Sequence, residues 1–383
     1  MKPEANPVGV HRVGVIGGGQ LAWMMADAAK KLGVELVIQT PEATDPAVAI
    51  AAHTVLAAID DAAATATLNC EVITFENEFV DLEALYQLAH RGICFRPSLD
   101  ALQPLLDKYD QRCYFRDRHI PTPKFSTHLL SPEFPVVLKT RRHGYDGQGT
   151  FIIKTVDQWE ATLQKLGNRS LLMEEFIPFD RELAVMAARS ITGEIVVYPV
   201  VETEQENQVC RRVIAPADLP ASTRVEVQSI ARSLLESLNF VGILGIELFL
   251  TPNGTVLVNE VAPRTHNSGH YTIDACTTSQ FEQQLRAVCG LPLSHPQMIC
   301  PGALMVNLLG YETSQSDYLE QRQQLAALPN AFVHWYGKTA SRPGRKLGHI
   351  TVLFDSAADL RQRAIALEST IAAIWGGKPS LSR

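Results

Sequence analysis

The period of apolar positions changes several times along the chain, and each change marks an element. Val13 to Ile16 form a short buried run, apolar residues then recur about every 3.6 positions from Gln20 to Leu32, and after Gly33 a β-branched run covers Glu35 to Ile38. This predicts strand, glycine turn, helix and strand, a βαβ unit. Further strands are expected in "CEVITFENE" and "GICFRPS" with "VDLEALYQLAHR" as the helix between them, so about the first hundred residues read as an open α/β domain. A connector helix in "LQPLLDKYDQRCYFRDRHIPTPKFSTH" breaks at Ile120-Pro121-Thr122-Pro123, where proline restricts itself and its predecessor. The first boundary falls just before it, near Leu102.

A hairpin follows, with strand Val136 to Lys139, a loop from Thr140 to Gly149 and strand Thr150 to Lys154. After a helix in "DQWEATLQKLG", three segments have strand character: "SLLMEEFIPFDRELAVMAARS", "EIVVYPVVE" and "VCRRVIAPA". "ASTRVEVQSIARSLLESLNFVG" has the period of an amphipathic helix, and "GILGIELFLTPNG" and "TVLVNEVAPR" pair across Asn253-Gly254, a strong hairpin turn. From about Pro301 the pattern predicts a smaller β-rich domain. The expected division is 1–101, 102–300 with a lid subdomain at about 124–180, and 301–383.

Composition narrows the function. The chain has 383 residues, 46% hydrophobic and 20% charged, with 34 basic and 41 acidic residues for a net charge of −7. These are globular proportions with no global field for nucleic acid, so any anion must be held by a local site. The seven cysteines are odd in number and never in a C-x-x-C pair, which argues for reduced thiols over a disulfide scaffold or zinc. No apolar stretch approaches the roughly 20 residues of a membrane span. A cytoplasmic protein without membrane partners is expected.

Several residues carry chemistry. Glu247 and Glu260 lie one on each strand of the Asn253-Gly254 hairpin, inside otherwise apolar runs. Adjacent buried carboxylates call for a shared cation, and with Asn259 they make an all-oxygen set suited to Mg²⁺. Lys139 ends an apolar strand beside a loop whose Gly144, Gly147 and Gly149 free backbone N–H groups to wrap phosphate oxygens. Glu174, Glu175, Phe176 and Ile177 end a strand with backbone groups and a carboxylate able to meet an adenine edge, and Glu182 follows at a distance suited to ribose hydroxyls. Gly17, Gly19 and Ala22 match G-x-G-x-x-A, but Gln39 and Thr40 stand where a dinucleotide site needs an acid. A turn required for packing therefore competes with a dinucleotide-binding module.

The order of these parts resembles the ATP-grasp carboxylate–amine ligases. "GGGQLA", "GYDGQGT", "GILGIELF" and "NEVAPRTHNSGHYTIDACTTSQFEQQLRA" are similar to the N5-carboxyaminoimidazole ribonucleotide synthetases of that superfamily, over about Val13 to Thr351. The resemblance implies an α/β ATP-grasp fold with a Rossmann-like N-terminal domain, ATP and Mg²⁺ as cofactors, and a homodimer. It implies phosphorylation of bicarbonate by ATP and capture of the carboxyl group by the amine of 5-aminoimidazole ribonucleotide. Lys108 and Lys139 would pair with ATP phosphates, with Thr150 and Gln205 near the nucleotide, and Glu247 and Glu260 would hold Mg²⁺. Arg264 and His266 would face bicarbonate, Asn267 the transferring phosphate, Tyr145 and Asp146 the aminoimidazole ribonucleotide, and Lys338, Arg345 and Lys346 its 5′-phosphate. The chain departs from the pattern at Lys108 (usually arginine), Gln148 (usually lysine), Gln205 (often histidine) and "AWM" after the first turn (usually "GRM"). A sister ligase, resembling biotin carboxylase or a formate-dependent transformylase, is the near alternative.

Overall fold

The computed structural model describes residues 9–129, 133–142, 149–206 and 208–376. Strands His53–Leu56, Glu35–Thr40, Arg12–Ile16 and Val72–Phe75 lie in that order in an all-parallel sheet. The strand order reverses between Arg12–Ile16 and Val72–Phe75, and ligands of such sheets sit outside the carboxyl ends of strands at that point. The expected helix from Gln20 to Leu32 is two, Gln20–Trp23 and Ala26–Leu32, separated at Met24 and Met25. "GICFRPS" contributes a single bridge, Ile73 to Phe95, in place of the expected strand. Pro97 has no N–H with which to extend the ladder.

The connector helix, Lys108–Asp117, begins where the Asp107 side chain accepts from the N–H groups of Tyr109 and Asp110. Its Phe115 joins one apolar cluster containing Phe75 and Leu99 from the N-terminal domain and Leu183, Leu244 and Val258 from strands further along the chain. The helix is thus a shared core element. Strands Phe125–Ser126, Leu171–Glu175, Val136–Thr140 and Thr150–Ile153 form a small antiparallel sheet, closed on one face by Trp159 and Leu166 of the helix Val156–Leu166.

A nine-stranded sheet carries the rest. Its order is Val256–Ala262, Gly242–Leu250, Arg181–Arg189, Val201–Glu206, Val209–Ala215, Gly302–Leu309, Lys346–Phe354 and Ala331–Trp335, with Ile195–Val197 paired on Arg181–Arg189. The segment after Pro301 does not close a β body of its own. Gly302–Leu309 pairs directly with Val209–Ala215, so the C-terminal strands continue the sheet begun by the preceding ones. The helix Leu360–Trp375 packs beneath them, burying Ala364, Ile371 and Trp375. Among the described residues no helix is long and apolar enough to cross a membrane.

Candidate active site

A cavity of about 1230 Å³ opens between the three regions. On the strands Gly242–Leu250 and Val256–Ala262, Glu247 stands directly opposite Glu260, as the hairpin pattern predicts, and the ladder shifts register immediately after Glu247. Glu182, two residues along from the Ala184 that faces Glu247, points to the same side of the sheet. Three carboxylates on one face repel. Burial and then Glu260 push the Glu247 carboxyl up to about 7, and burial and then Glu247 push Glu182 up to about 8. Burial also disfavours the charge on Glu260, but Lys108 and Lys139 outweigh it and hold that carboxyl below its ordinary range. Lys108 Nζ lies 2.6 Å from Glu260 Oε1.

The cations are held in a second, deeper network. Lys139 Nζ lies 2.8 Å from Glu174 Oε2 and donates to Asn259 Oδ1 at 3.0 Å. Arg112, one helical turn beyond Lys108, donates through Nε to Glu174 Oε1 at 2.7 Å and through Nη2 to the Asn259 carbonyl at 2.6 Å. All three charged groups are buried. Burial would raise Glu174, yet Arg112 and Lys139 hold its carboxyl at about 2. A buried acid needs cations, and Glu174 spends both side-chain oxygens on them while its residue still lines the cavity. Phe176, Ile177 and Glu175 remain at the cavity wall, beside Phe179, whose ring stacks on Phe249 at 4.7 Å.

Thr150, Gln205, Arg264, His266, Asn267 and Lys346 also line the cavity. His266 Nε2 lies 3.6 Å from Glu247 Oε1, and Asn267 exchanges amide hydrogen bonds with Asn307 at 2.9 and 2.7 Å. Gly149 has φ +94°, and a Cβ there would collide with Thr140 Oγ1. Gly144, Tyr145, Asp146, Gly147 and Gln148 lie outside the described residues. Lys338 stands at the edge, donating to Gln20 Oε1 at 2.9 Å and to the Lys346 carbonyl at 2.8 Å. Arg345 is not brought into the cavity; its Nη1 donates to the Ala340 carbonyl at 2.6 Å.

Residues outside the sequence prediction complete the walls. Gln20, Glu76 and Glu78 come from the N-terminal domain, at the carboxyl ends of its strands. A Cβ on Gly17 would lie 2.6 Å from Glu76 Oε2 and 2.7 Å from Asn77 Nδ2, so the glycine turn admits the close passage of this segment. That is the packing role. Burial pushes the Glu76 carboxyl up to about 7, against the pull of Arg264. From the C-terminal segment, Glu368 pairs with both Arg211 and Arg212 under the cavity. Asp274, His334 and His349 come within metal-ligand reach of one another, but the two imidazoles stack at 4.5 Å with planes 17° apart, so their lone pairs run side by side.

Lys139 of the small sheet and Lys108 of the connector helix face the carboxylates of the hairpin, the arrangement of an ATP-grasp protein, and the family model for the ATP-grasp domain matches residues 120–281. The ribonucleotide synthetase preATP-grasp domain matches residues 10–104 and the phosphoribosylaminoimidazole carboxylase C-terminal domain residues 303–363. The N5-carboxyaminoimidazole ribonucleotide synthase of Synechococcus elongatus is 56% identical, over 96% of both chains. The chain belongs to the N5-carboxyaminoimidazole ribonucleotide synthase family. The solved structure of the Aspergillus clavatus carboxyaminoimidazole ribonucleotide synthase complexed with ATP superposes with a TM-score of 0.89 at 31% identity, covering 96% of this chain and 99% of that one. A second Aspergillus clavatus structure, in complex with ADP and 5-aminoimidazole ribonucleotide, gives 0.87 at 30% identity, with 96% and 99% covered.

Proposed function

We propose that the cavity performs ATP-dependent carboxylation of 5-aminoimidazole ribonucleotide with bicarbonate, giving N5-carboxyaminoimidazole ribonucleotide, ADP and phosphate in purine biosynthesis. The observation that carries this reading is the apposition, in one cavity, of Lys108 and Lys139 with the register-paired Glu247 and Glu260. A bicarbonate oxygen attacks the γ-phosphorus and the bond to ADP breaks. The amine then attacks the carboxyl carbon of carboxyphosphate; phosphate leaves with that oxygen and takes up the amine proton. In phosphoryl transfer the protein mainly positions groups and offsets charge.

Lys139, fixed by Glu174 and Asn259, and Lys108, fixed by Glu260, present ammonium groups to the phosphates. Lys139 is easily perturbed: burial, opposed by Glu174, lowers its affinity for the proton, and an arriving phosphate restores it. Glu247 and Glu260 fit Mg²⁺, since the two carboxylates stand directly opposite and burial with the Glu260 charge pushes Glu247 up to about 7, a repulsion that a shared cation would relieve. Bound there, the ion would neutralise charge developing on the phosphoryl oxygens. Arg264 and His266 meet bicarbonate, Asn267 the transferring phosphate, and Lys346 with Lys338 the ribonucleotide phosphate. Tyr145 and Asp146 belong to the same reading, as do a homodimer, a cytoplasmic location and the domain division at 101/102 and 300/301, which the matched family ranges support.

The test is ADP release with Mg-ATP and bicarbonate, with and without 5-aminoimidazole ribonucleotide. Release stimulated by the amine and matched by its consumption is expected. Equal release without it would refute the acceptor. Glu260→Gln should lose at least about 100-fold in turnover, and full turnover would sink the metal assignment.

A further inference from the structure

We propose that Glu78 is a positioning residue that orients Arg264, so that the bicarbonate site is built jointly by the N-terminal and catalytic domains. The inference rests on the reading of Arg264 as the cation that grips bicarbonate. Arg264 follows the hairpin strand Val256–Ala262, and Glu78 follows the N-terminal strand Val72–Phe75, 186 residues away. Arg264 Nε donates to Glu78 Oε2 at 2.6 Å and Nη2 donates to Glu78 Oε1 at 3.1 Å, a two-bond fork. Its Nη1 donates to the Thr265 carbonyl at 3.2 Å.

A guanidinium carries five N–H groups and two edges that can each grip a pair of oxygens. Glu78 takes the Nε–Nη2 edge whole, and Thr265 takes one Nη1 hydrogen. The two hydrogens left, one on each Nη, form the end-on edge, whose spacing suits two oxygens of a planar carbonate. Glu78 thereby decides which edge faces the cavity that both residues line. Without it the long side chain of Arg264 could swing and offer either edge, and its charge would move with it.

Glu78 itself is held. The Glu76 N–H donates to the Ile16 carbonyl at 2.9 Å, and Asn77 Oδ1 accepts from the Phe79 N–H at 3.0 Å, tying down the backbone on both sides. Glu76 packs into the glycine turn, against Gly17 and Gly19. The carboxylate is therefore a fixed reference against which a flexible cation is set. A surface pair would have little effect of this kind, but both side chains here are mostly buried, at 17% and 19% exposure.

Glu78→Gln keeps the volume and one acceptor but loses the charge and the fork. With ATP and amine saturating, and sites counted by ADP titration calorimetry, kcat should fall on the order of 10- to 100-fold. KM for bicarbonate should rise while KM for ATP stays within about twofold. Glu78→Asp, which keeps the charge on a shorter arm, should recover part of the loss. Combined with Arg264→Lys, Glu78→Gln should add almost nothing, because the two act as one unit. Unchanged bicarbonate dependence in Glu78→Gln, or fully additive losses in the double variant, would overturn the inference while leaving the carboxylation reading intact. A wild-type protein that releases no ADP with any of these substrates overturns both.

Discussion

Glu76 shows how a single buried carboxylate ties turn, site and stability together. Burial pushes its carboxyl from an ordinary 4.5 up to about 7, so the folded protein holds the proton more tightly than the unfolded chain. The stabilisation is full below about pH 4.5 and is lost as pH rises through 7, a swing of at most about 3 kcal/mol. Glu76→Gln should therefore raise Tm relative to wild type at pH 8 and leave it nearly unchanged at pH 4; an offset independent of pH would show that burial is not the cause. Glu174 has the opposite sign. Held at about 2 by Arg112 and Lys139, it stabilises fully above its ordinary value and loses that effect as pH falls toward 2. Lys139, Glu247 and Glu260 were legible in the sequence because a charge inside an apolar run must be partnered. Arg112 and Glu78 were not, since a charge on a helix or strand end reads as solvated until its partner, 62 or 186 residues away, is brought beside it.

At the scale of elements, the base of the hairpin formed by Val136–Thr140 and Thr150–Ile153 is closed by a backbone that only glycine adopts freely. Gly149 has φ +94° and its carbonyl accepts from the Thr140 N–H at 2.7 Å. Gly149→Ala adds roughly 1–2 kcal/mol of backbone strain and a collision with Thr140. It should raise KM for ATP by up to about tenfold in ADP-release assays. Thr140→Ala in the same chain should recover the collision but not the strain, and complete recovery would place the whole effect in the contact. Most elements follow from periodicity and from their stops: Gly33 ends its helix in the left-handed conformation, and Gly254 turns the glutamate hairpin at φ +84°. The break at Met24 and Met25 was hidden because the apolar face runs on through it: both side chains are buried and both residues stay right-handed, and only the hydrogen bonding changes, the Met25 N–H donating to the Ala22 carbonyl at 3.1 Å. Pattern reports which side a residue faces more directly than whether its hydrogen bonds continue.

Across the whole molecule, one sheet runs across the boundary that the strand pattern predicts near Pro301. The strand before it, Val209–Ala215, pairs with the strand after it, Gly302–Leu309, and Arg211 and Arg212 find their acid in Glu368 of the last helix. Strand partners so far apart leave no trace in local pattern, which is why three β segments after Pro301 read as a body of their own. A chain ending at Cys300 would bare one ladder of N–H and C=O groups and take Glu368 from Arg211 and Arg212, leaving them only Glu206 and Glu204. It should be insoluble or unfold without cooperativity in urea, and a soluble, cooperatively unfolding fragment would mean the seam is dispensable. The same seam constrains how such a ligase can acquire a new acceptor. The segment carrying Lys338 and Lys346 cannot be traded between genes as a cassette, because its first strand is cut to fit the neighbour it lies against. Recombination at that border would break a ladder in both parents, so specificity in this architecture is expected to drift by single residues and not by exchange of parts.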